Sequence, residues 1–219
     1  MHAIGLVCTN CGWRTGISNT YKCEYCENSL EVEYDFSDIN LEKIKYVLNN
    51  AKTLWDYYEL LPVKKLENII SLNEGNTPLL MSKSIGKKYG VNLYLKDETR
   101  NPTCSFKDRP NTVGLSIARE LGLNVVSIAS TGNGSASLSA YAANSGMECY
   151  IFIPEDTSTG KIIQALSHGA IPTKVKGTYS DAYNLCLDES MKNNWANLTS
   201  TYINPYTMEG DKTISYELY

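Results

Sequence analysis

The sequence lacks the features that mark several large classes of protein. No apolar run among its 219 residues is long enough to cross a membrane, and residues 1–5 have neither the basic start nor the apolar stretch of a signal peptide. The sequence has 20 basic and 24 acidic residues, with no long run of either charge. This balance argues against a surface for nucleic acid or membranes. We therefore expect a soluble cytoplasmic protein with one or two globular domains.

An even set of cysteines is also missing, since the sequence has seven. The odd count and the absence of a signal peptide argue against a disulfide framework. Two C-x2-C pairs, separated by eleven residues, explain four of the seven: Cys8, Cys11, Cys23 and Cys26. Two hairpins at this spacing can place four thiolates around one zinc ion with no position left for water, so the predicted site is structural. The alternative is two chance pairs of buried cysteines.

Residues 1–36 are acidic as well as rich in cysteine. They hold two basic and five acidic side chains, a formal charge of −3 before the metal site is counted. An acidic ribbon is a poor binder of phosphate backbones. We interpret this segment as a zinc ribbon that stabilises the fold or contacts protein.

The rest of the sequence alternates between helical and strand patterns. Apolar residues at near-helical spacing predict one amphipathic helix over residues 41–60, ended by Pro62. The remaining patterns predict strands at 93–95, 125–129, 149–153, 171–176 and 201–203, and helices over 113–121, 134–145, 159–168, 179–194 and from 210 onward. Such regular alternation is typical of an α/β domain with a parallel sheet.

Two segments of the sequence contain candidate residues for catalysis or ligand binding. Lys107 follows a polar loop and stands at the head of a predicted helix, where the positive helix end and nearby Arg109 would favour its neutral, nucleophilic form. Taken alone, it also fits a solvated surface lysine. The segment S-T-G-N-G-S-A-S (130–137) joins a strand to a helix, and its small residues with free N–H groups suit an anion or a cofactor. Small residues there would equally permit close packing.

Taken together, the motifs resemble one enzyme family. N-E-G-N-T-P-L (73–79), L-K-D-E-T-R-N-P-T-C-S-F-K-D-R (95–109) and S-T-G-N-G-S-A-S (130–137) occur in order. They are similar to the fold-type-II pyridoxal-phosphate enzymes, whose fold is that of the tryptophan synthase β subunit, and among these to the threonine synthases. W-D-Y-Y-E-L-L-P (55–62) and N-P-Y-T-M-E-G-D-K-T (204–213) resemble further threonine-synthase segments. The ribbon resembles the one on archaeal and some bacterial members.

The resemblance implies roles for individual residues. Lys107 would hold pyridoxal 5′-phosphate covalently and move protons, and Asn133 would contact the 3′-oxygen of that cofactor. The loop around them would bind the carboxylate of a small amino-acid substrate through Ser130, Thr131, Gly132, Gly134 and Ser135. The implied reaction is the lyase-type conversion of O-phosphohomoserine to threonine. The alternatives are a cysteate synthase, another β-replacing enzyme or dehydratase of the same fold, or a truncated homologue without catalysis.

Three departures from the family pattern bear on these expectations. Cys104 stands where the family has glycine, and Thr207 stands where threonine synthases often have an arginine that binds phosphate. The sequence also ends at Tyr219, before the family's glycine-rich loop for the cofactor phosphate. We therefore expect the C-terminal domain to be largely missing, and the 219 residues alone to be inactive and either homo-oligomeric or dependent on that half.

The expected domain organisation has four parts. A zinc ribbon over residues 1–36 precedes a helical linker over 37–92. The α/β domain with the cofactor lysine spans 93–203, and residues 204–219 begin a second α/β domain.

Overall fold

The N-terminal segment forms a small antiparallel sheet. The structure, a computed structural model, describes residues 2–199 and 203–219. Strands β1 (Ala3–Cys8), β2 (Arg14–Thr15) and β3 (Leu30–Tyr34) lie in the order β2-β1-β3. Leu6 of β1 and Val32 of β3 are paired residues on neighbouring strands, so their side chains lie on the same face of the sheet. That face packs inward, and both side chains are buried.

The segment after the ribbon contains two short helices where one was predicted. Helix α1 (Leu41–Asn50) begins at Asn40, whose side chain accepts a hydrogen bond from the N–H of Lys43. A separate 3-10 helix follows over Leu54–Leu60. The prediction of one continuous helix over 41–60 is wrong at residues 51–53. There the Asp56 carboxylate accepts the N–H groups of Lys52 and Thr53 and starts a new helix.

A hairpin-like unit separates this segment from the main sheet. Strands β4 (Leu79–Met81) and β5 (Tyr94–Lys96) pair antiparallel, and helix α2 (Lys83–Tyr89) joins them. The predicted strand at 93–95 is confirmed within one residue. The side chains of this unit are largely exposed, including Leu80 and Leu95.

The main sheet has four parallel strands in the order β8-β7-β6-β9. The strands are β6 (Val125–Ala129), β7 (Glu148–Pro154), β8 (Ile171–Val175) and β9 (Ala196–Asn197). The helices around it are α3 (Asp108–Glu120), α4 (Asn133–Ser145), α5 (Thr159–Ser167), α6 (Tyr179–Asn193) and α7 (Pro205–Tyr216). The predicted α/β class and its three long strands are therefore confirmed.

The end of the chain differs from its prediction in two places. Of the strand predicted at 201–203, residues 201 and 202 lie outside the described residues and Ile203 is in a turn, whereas β9 forms earlier. Helix α7 begins at Pro205, not near residue 210. Asn204 caps it by accepting the N–H of Tyr206, and proline at the first position is already set for a helix.

Helix α3 joins the two main apolar clusters. Its Leu115 packs with the sheet residues Ile128 and Ile151, whereas Ile117 packs in the ribbon cluster with Leu6. The ribbon cluster also contains Tyr206 of α7, whose hydroxyl accepts from the N–H of Ser18 and donates to its carbonyl. The core of the ribbon is thus continuous with that of the α/β region. No helix of the described residues is both long and apolar enough to cross a membrane.

Candidate active site and metal centre

The four cysteines predicted to bind metal lie together at the tip of the ribbon. Their Sγ atoms are all within 4.8 Å of one another. The Cys8–Cys26 and Cys11–Cys23 pairs are each separated by 3.5 Å between Sγ atoms. A tetrahedral zinc site with Zn–S bonds of about 2.3 Å requires sulfur atoms about 3.8 Å apart. The cluster therefore fits one zinc ion if the sulfur atoms of these two pairs move apart by about 0.3 Å.

Backbone N–H groups prepare two of these sulfurs as ligands. The N–H of Cys11, the strongest influence, lowers the pKa of Cys8. The N–H of Asn28 likewise lowers the pKa of Cys26 to about 6. Thiolate is the form that binds metal, so these donors favour coordination by Cys8 and Cys26. The N–H of Trp13 acts to lower the pKa of Cys11, but this effect is outweighed, chiefly by the neighbouring Cys23 thiol, and the pKa is raised to about 12, so this thiol must lose its proton when a metal binds.

Lys107 occupies the N-cap of α3, as predicted, at the end of a rigid loop. Asp108, directly after it, is fully buried and accepts hydrogen bonds from Thr103 and from the Ser137 hydroxyl at 2.6 Å. The Ser105 hydroxyl accepts the N–H of Lys107 at 3.2 Å. These contacts fix the backbone around the lysine, and Ser137 ties it to the first turns of α4.

The side chain of Lys107 is half-buried and makes no ion pair within the described part of the chain. Its Nζ lies 4.1 Å from the centre of the Phe106 ring, which gives a cation–π contact. An amine that is accessible and unpaired suits covalent attachment to an aldehyde.

The predicted binding loop lies at the start of α4, next to the Lys107 turn. Asn111 of α3 donates to the Gly134 carbonyl at 3.4 Å, so the two helices begin side by side. The Ser130 hydroxyl accepts the N–H groups of Gly132 and Ser135, and the Ser135 hydroxyl donates to the Gly132 carbonyl. These two hydroxyls therefore shape the loop itself.

The donors that remain open are in the first turn of α4. Within residues 2–199 and 203–219, the N–H groups of Asn133 and Gly134 and the side chain of Asn133 have no hydrogen-bond partner. Asn133 and Gly132 are exposed, and Thr131 is half-buried. The structure brings this loop and the Lys107 turn together, but no hydrogen bond joins Lys107 to Asn133. Open N–H groups at a helix start suit an anion such as a carboxylate.

Arg109 is fully buried in a network that the sequence did not reveal. Its guanidinium donates to Glu98 at 2.8 Å through both Nε and Nη2, and to Glu217 at 2.6 Å through Nη1. Burial raises the pKa of Glu217, but hydrogen bonds from Arg109 and Lys96 outweigh burial and lower it below its usual value. Two carboxylates therefore pair with Arg109 and offset the positive charge that was expected to act on the Lys107 amine.

Residues 70–219 match the family described as pyridoxal-phosphate dependent enzyme. The chain belongs to this family. It is 42% identical to a threonine synthase of Methanocaldococcus jannaschii over 96% of this chain and 52% of that protein. It is 39% identical to a threonine synthase of Methanosarcina acetivorans over 97% of this chain and 52% of that protein. The chain spans about half the length of the curated relatives it matches.

Solved structures of the family share the fold at lower identity. Threonine deaminase isoform 2 of Solanum lycopersicum superposes with a TM-score of 0.61 at 22% identity, over 77% of this chain and 46% of that one. A pyridoxal 5′-phosphate-dependent aspartate racemase gives a TM-score of 0.60 at 21% identity, over 83% of this chain and 51% of that one. These likenesses confirm the fold-type-II architecture.

The residues present fit the cofactor of this family. The cofactor is an aldehyde, and the unpaired Lys107 amine can attach to it covalently. The open N-terminus of α4 beside that amine can bind the anionic group of a substrate. The family assignment makes pyridoxal phosphate the cofactor of the fold. The roles of individual residues, and zinc at the four cysteines, are taken up as proposals below.

The two residues that depart from the family pattern occupy different settings. Cys104 is exposed, has a positive φ of 58°, and borders a cavity of about 240 Å³ that His168 and Ala136 also line. A positive φ favours glycine, which explains the usual residue there. Thr207 is buried, and its hydroxyl donates to the Asn204 carbonyl at 2.7 Å. Its methyl group faces Gly114 of α3.

Sequence reasoning missed Asp211, a largely buried carboxyl group of α7 that lies within range of the Lys107 charge. Burial raises the pKa of Asp211 to about 6, and the charges of Lys107 and Arg109 oppose that rise. The only signal in the sequence was its place in the N-P-Y-T-M-E-G-D-K-T segment. Nothing local in that segment indicates that the carboxyl group is buried close to a residue of another helix.

Proposed function

We propose that this chain supplies the cofactor lysine and substrate-carboxylate loop of a pyridoxal-phosphate-dependent threonine synthase acting on O-phosphohomoserine. The observation that carries the proposal is identity of 42% and 39% to two threonine synthases across nearly the whole chain. The geometry supports it, because Lys107 and the open N-terminus of α4 lie side by side.

The chain's own residues would divide the chemistry as follows. When bound, pyridoxal phosphate supplies an electron sink for negative charge at the substrate's α carbon. Lys107 holds the cofactor covalently and, once its amine is free, moves protons at the substrate's α and β carbons. Asn133 hydrogen-bonds the 3′-oxygen and so orients the ring. The N–H groups of Asn133 and Gly134 hold the substrate carboxylate.

The loop geometry divides the predicted carboxylate ligands into two groups. Thr131 and the N–H of Gly134 make no hydrogen bond within the described residues, whereas both backbone groups of Gly132 are bonded within the loop. The hydroxyls of Ser130 and Ser135 also bond to loop backbone. We propose that the two serines act by holding the loop in shape. The open N–H groups then make the contacts with substrate.

A second candidate is a β-replacing enzyme such as a cysteate synthase, or a dehydratase of the same fold. Thr207 favours this candidate, because the dianionic phosphate of phosphohomoserine needs strong donors and a threonine offers one hydroxyl where arginine offers a bidentate cation. That hydroxyl is already donated to Asn204. A threonine synthase of this sequence must therefore draw its phosphate donors from elsewhere.

We also propose one zinc ion at the four cysteines of the ribbon. The separations of their sulfur atoms and the N–H groups aimed at two of them support this. Four thiolates leave no open coordination position, so the ion would stabilise the ribbon and take no part in catalysis.

The first experiment tests the cofactor lysine. The chain is incubated with pyridoxal phosphate and reduced with borohydride, and the modified peptide is mapped by mass spectrometry. We expect the pyridoxyl group on Lys107, and its loss in Lys107→Arg, which keeps the charge. Lys174→Arg, an exposed lysine on β8, is the matched control and should not change labelling. Modification of Lys96 or Lys161 instead of Lys107 would contradict the assignment.

The second experiment decides the substrate. Protein expressed from the whole reading frame that contains this sequence is assayed with O-phosphohomoserine, with O-phosphoserine plus sulfite, and with threonine or serine alone. Threonine synthase activity requires release of phosphate and formation of threonine from the first substrate. Formation of cysteate, or of a 2-oxo acid and ammonia, would assign the second candidate. No turnover of any of them, with pyridoxal phosphate bound, would support a homologue without catalysis.

A further inference from the structure

A close backbone contact between helices α7 and α3 places Asp211 near the turn that contains Lys107. A Cβ added at Gly210 would lie 2.1 Å from the Arg109 carbonyl oxygen, so the backbones of α7 and α3 touch at this point. Asp211 is the next residue of α7, and its Oδ1 is buried without a hydrogen-bond partner among the described residues. A buried carboxylate oxygen without a donor is uncommon, so a nearby donor is the expected partner of Asp211.

The cations around Asp211 are not equally available. Lys107 and Arg109 attract its negative charge, and Glu98 repels it. The Arg109 guanidinium already donates hydrogen bonds to the side chains of Glu98, Glu217, Thr77 and Thr213. On neighbouring segments, Lys96 pairs with Glu217 and Lys212 with Glu209. Among these cations of the described residues, Lys107 is the one without a carboxylate partner.

We propose that Asp211 is a positioning residue for Lys107: its carboxylate receives the Lys107 ammonium and holds the amine, with its proton, inside the site. The flexible four-carbon stem of lysine lets Nζ leave the Phe106 ring and approach the carboxylate. The inference takes from the proposed function only that Lys107 is the reacting lysine.

The consequence is a pH dependence in the reactivity of the amine. Ionised Asp211 attracts the Lys107 ammonium and so favours the charged, unreactive form of the amine. Burial raises the pKa of Asp211 to about 6, so the carboxylate is ionised above that pH and acts on Lys107 there.

The test measures the reactivity of Lys107 in the 219-residue chain without cofactor. Acetic anhydride is applied at a series of pH values, and acetylation of each lysine is quantified by mass spectrometry with exposed Lys174 as the internal reference. We expect Asp211→Asn to lower the midpoint of Lys107 acetylation by about 0.5–1 pH unit, or a three- to ten-fold faster reaction below the midpoint. Asp211→Glu should restore the normal midpoint.

The matched control is Asp188→Asn, which removes the same charge from an exposed position on α6. It should leave the midpoint unchanged, and an equal shift in this control would overturn the inference. An unchanged midpoint in folded Asp211→Asn, checked by circular dichroism, would also overturn it.

A reciprocal measurement covers the case in which Asp211→Asn does not fold. The carboxyl carbon of Asp211 is followed by NMR against pH in the wild-type chain and in Lys107→Met. Because coupling between two titrating groups is mutual, loss of the lysine should move the Asp211 midpoint upward. No movement would refute the inference. Failure of the borohydride mapping at Lys107 would instead refute the proposed function and leave these acetylation results standing.

Discussion

Replacing Gly210 with alanine tests whether the contact between α7 and α3 holds the site together. The added Cβ would lie 2.1 Å from the Arg109 carbonyl oxygen, 2.6 Å from its carbonyl carbon and 2.7 Å from the Pro110 Cα. All three are backbone atoms, so no side-chain rotation relieves the clash. The helices must separate by about 1 Å, since carbon and oxygen approach normally no closer than about 3 Å.

The expected loss of stability follows from what that separation disturbs. Overpacking of this kind costs about 1–3 kcal/mol. Thr213 and Glu217 of the same C-terminal segment also hold Arg109, and weakening a buried charge network adds to the cost. We expect Gly210→Ala to lower the free energy of unfolding by about 3 kcal/mol or more, equivalent to a fall of about 6–12 °C in melting temperature.

The matched control is Gly160→Ala in the first turn of α5, where an added Cβ meets nothing within 4 Å. It should be neutral or stabilise the chain by up to about 1 kcal/mol, because alanine favours helix more than glycine does. Both variants are unfolded in urea and compared by midpoint at constant slope. Equal midpoints for the two variants would show that the α7–α3 contact yields without cost, and the argument for a rigid site would fail.

Two further predictions concern the cysteines. Freshly reduced protein should contain about one zinc per chain by elemental analysis, and Cys23→Ser should lose that zinc and also destabilise the α/β region, because Leu6 of the ribbon packs in one cluster with Ile117 and Tyr206. Zinc-free wild-type protein, or a Cys23→Ser variant with unchanged melting temperature, would contradict this. Cys104→Gly should retain the zinc and raise stability by about 1 kcal/mol, because glycine adopts a φ of 58° without strain; a lower melting temperature would count against it.

The secondary structure was largely predictable because its signals are local. The apolar run at 125–129 is β6, and the pattern at 179–194 is α6 to within one residue. The errors arose where side chains set boundaries. Asp56 starts a second helix by accepting two N–H groups, and Asn204 with Pro205 starts α7 earlier than its apolar pattern. Such caps depend on one or two hydrogen bonds from single side chains, and the spacing of apolar residues gives no information about those bonds.

Sequence spacing predicted the cluster of four cysteines and the position of Lys107, because two C-x2-C hairpins and a loop leading into a helix are local geometries. Only the tertiary structure decided the electrostatics around that lysine. Arg109 pairs with Glu98 and Glu217, and the largely buried Asp211 of another helix lies within range of the Lys107 charge. These groups meet because α7 packs against the start of α3 at Gly210. The strength of a charge depends on distance and burial, which arise from packing between segments far apart in the chain.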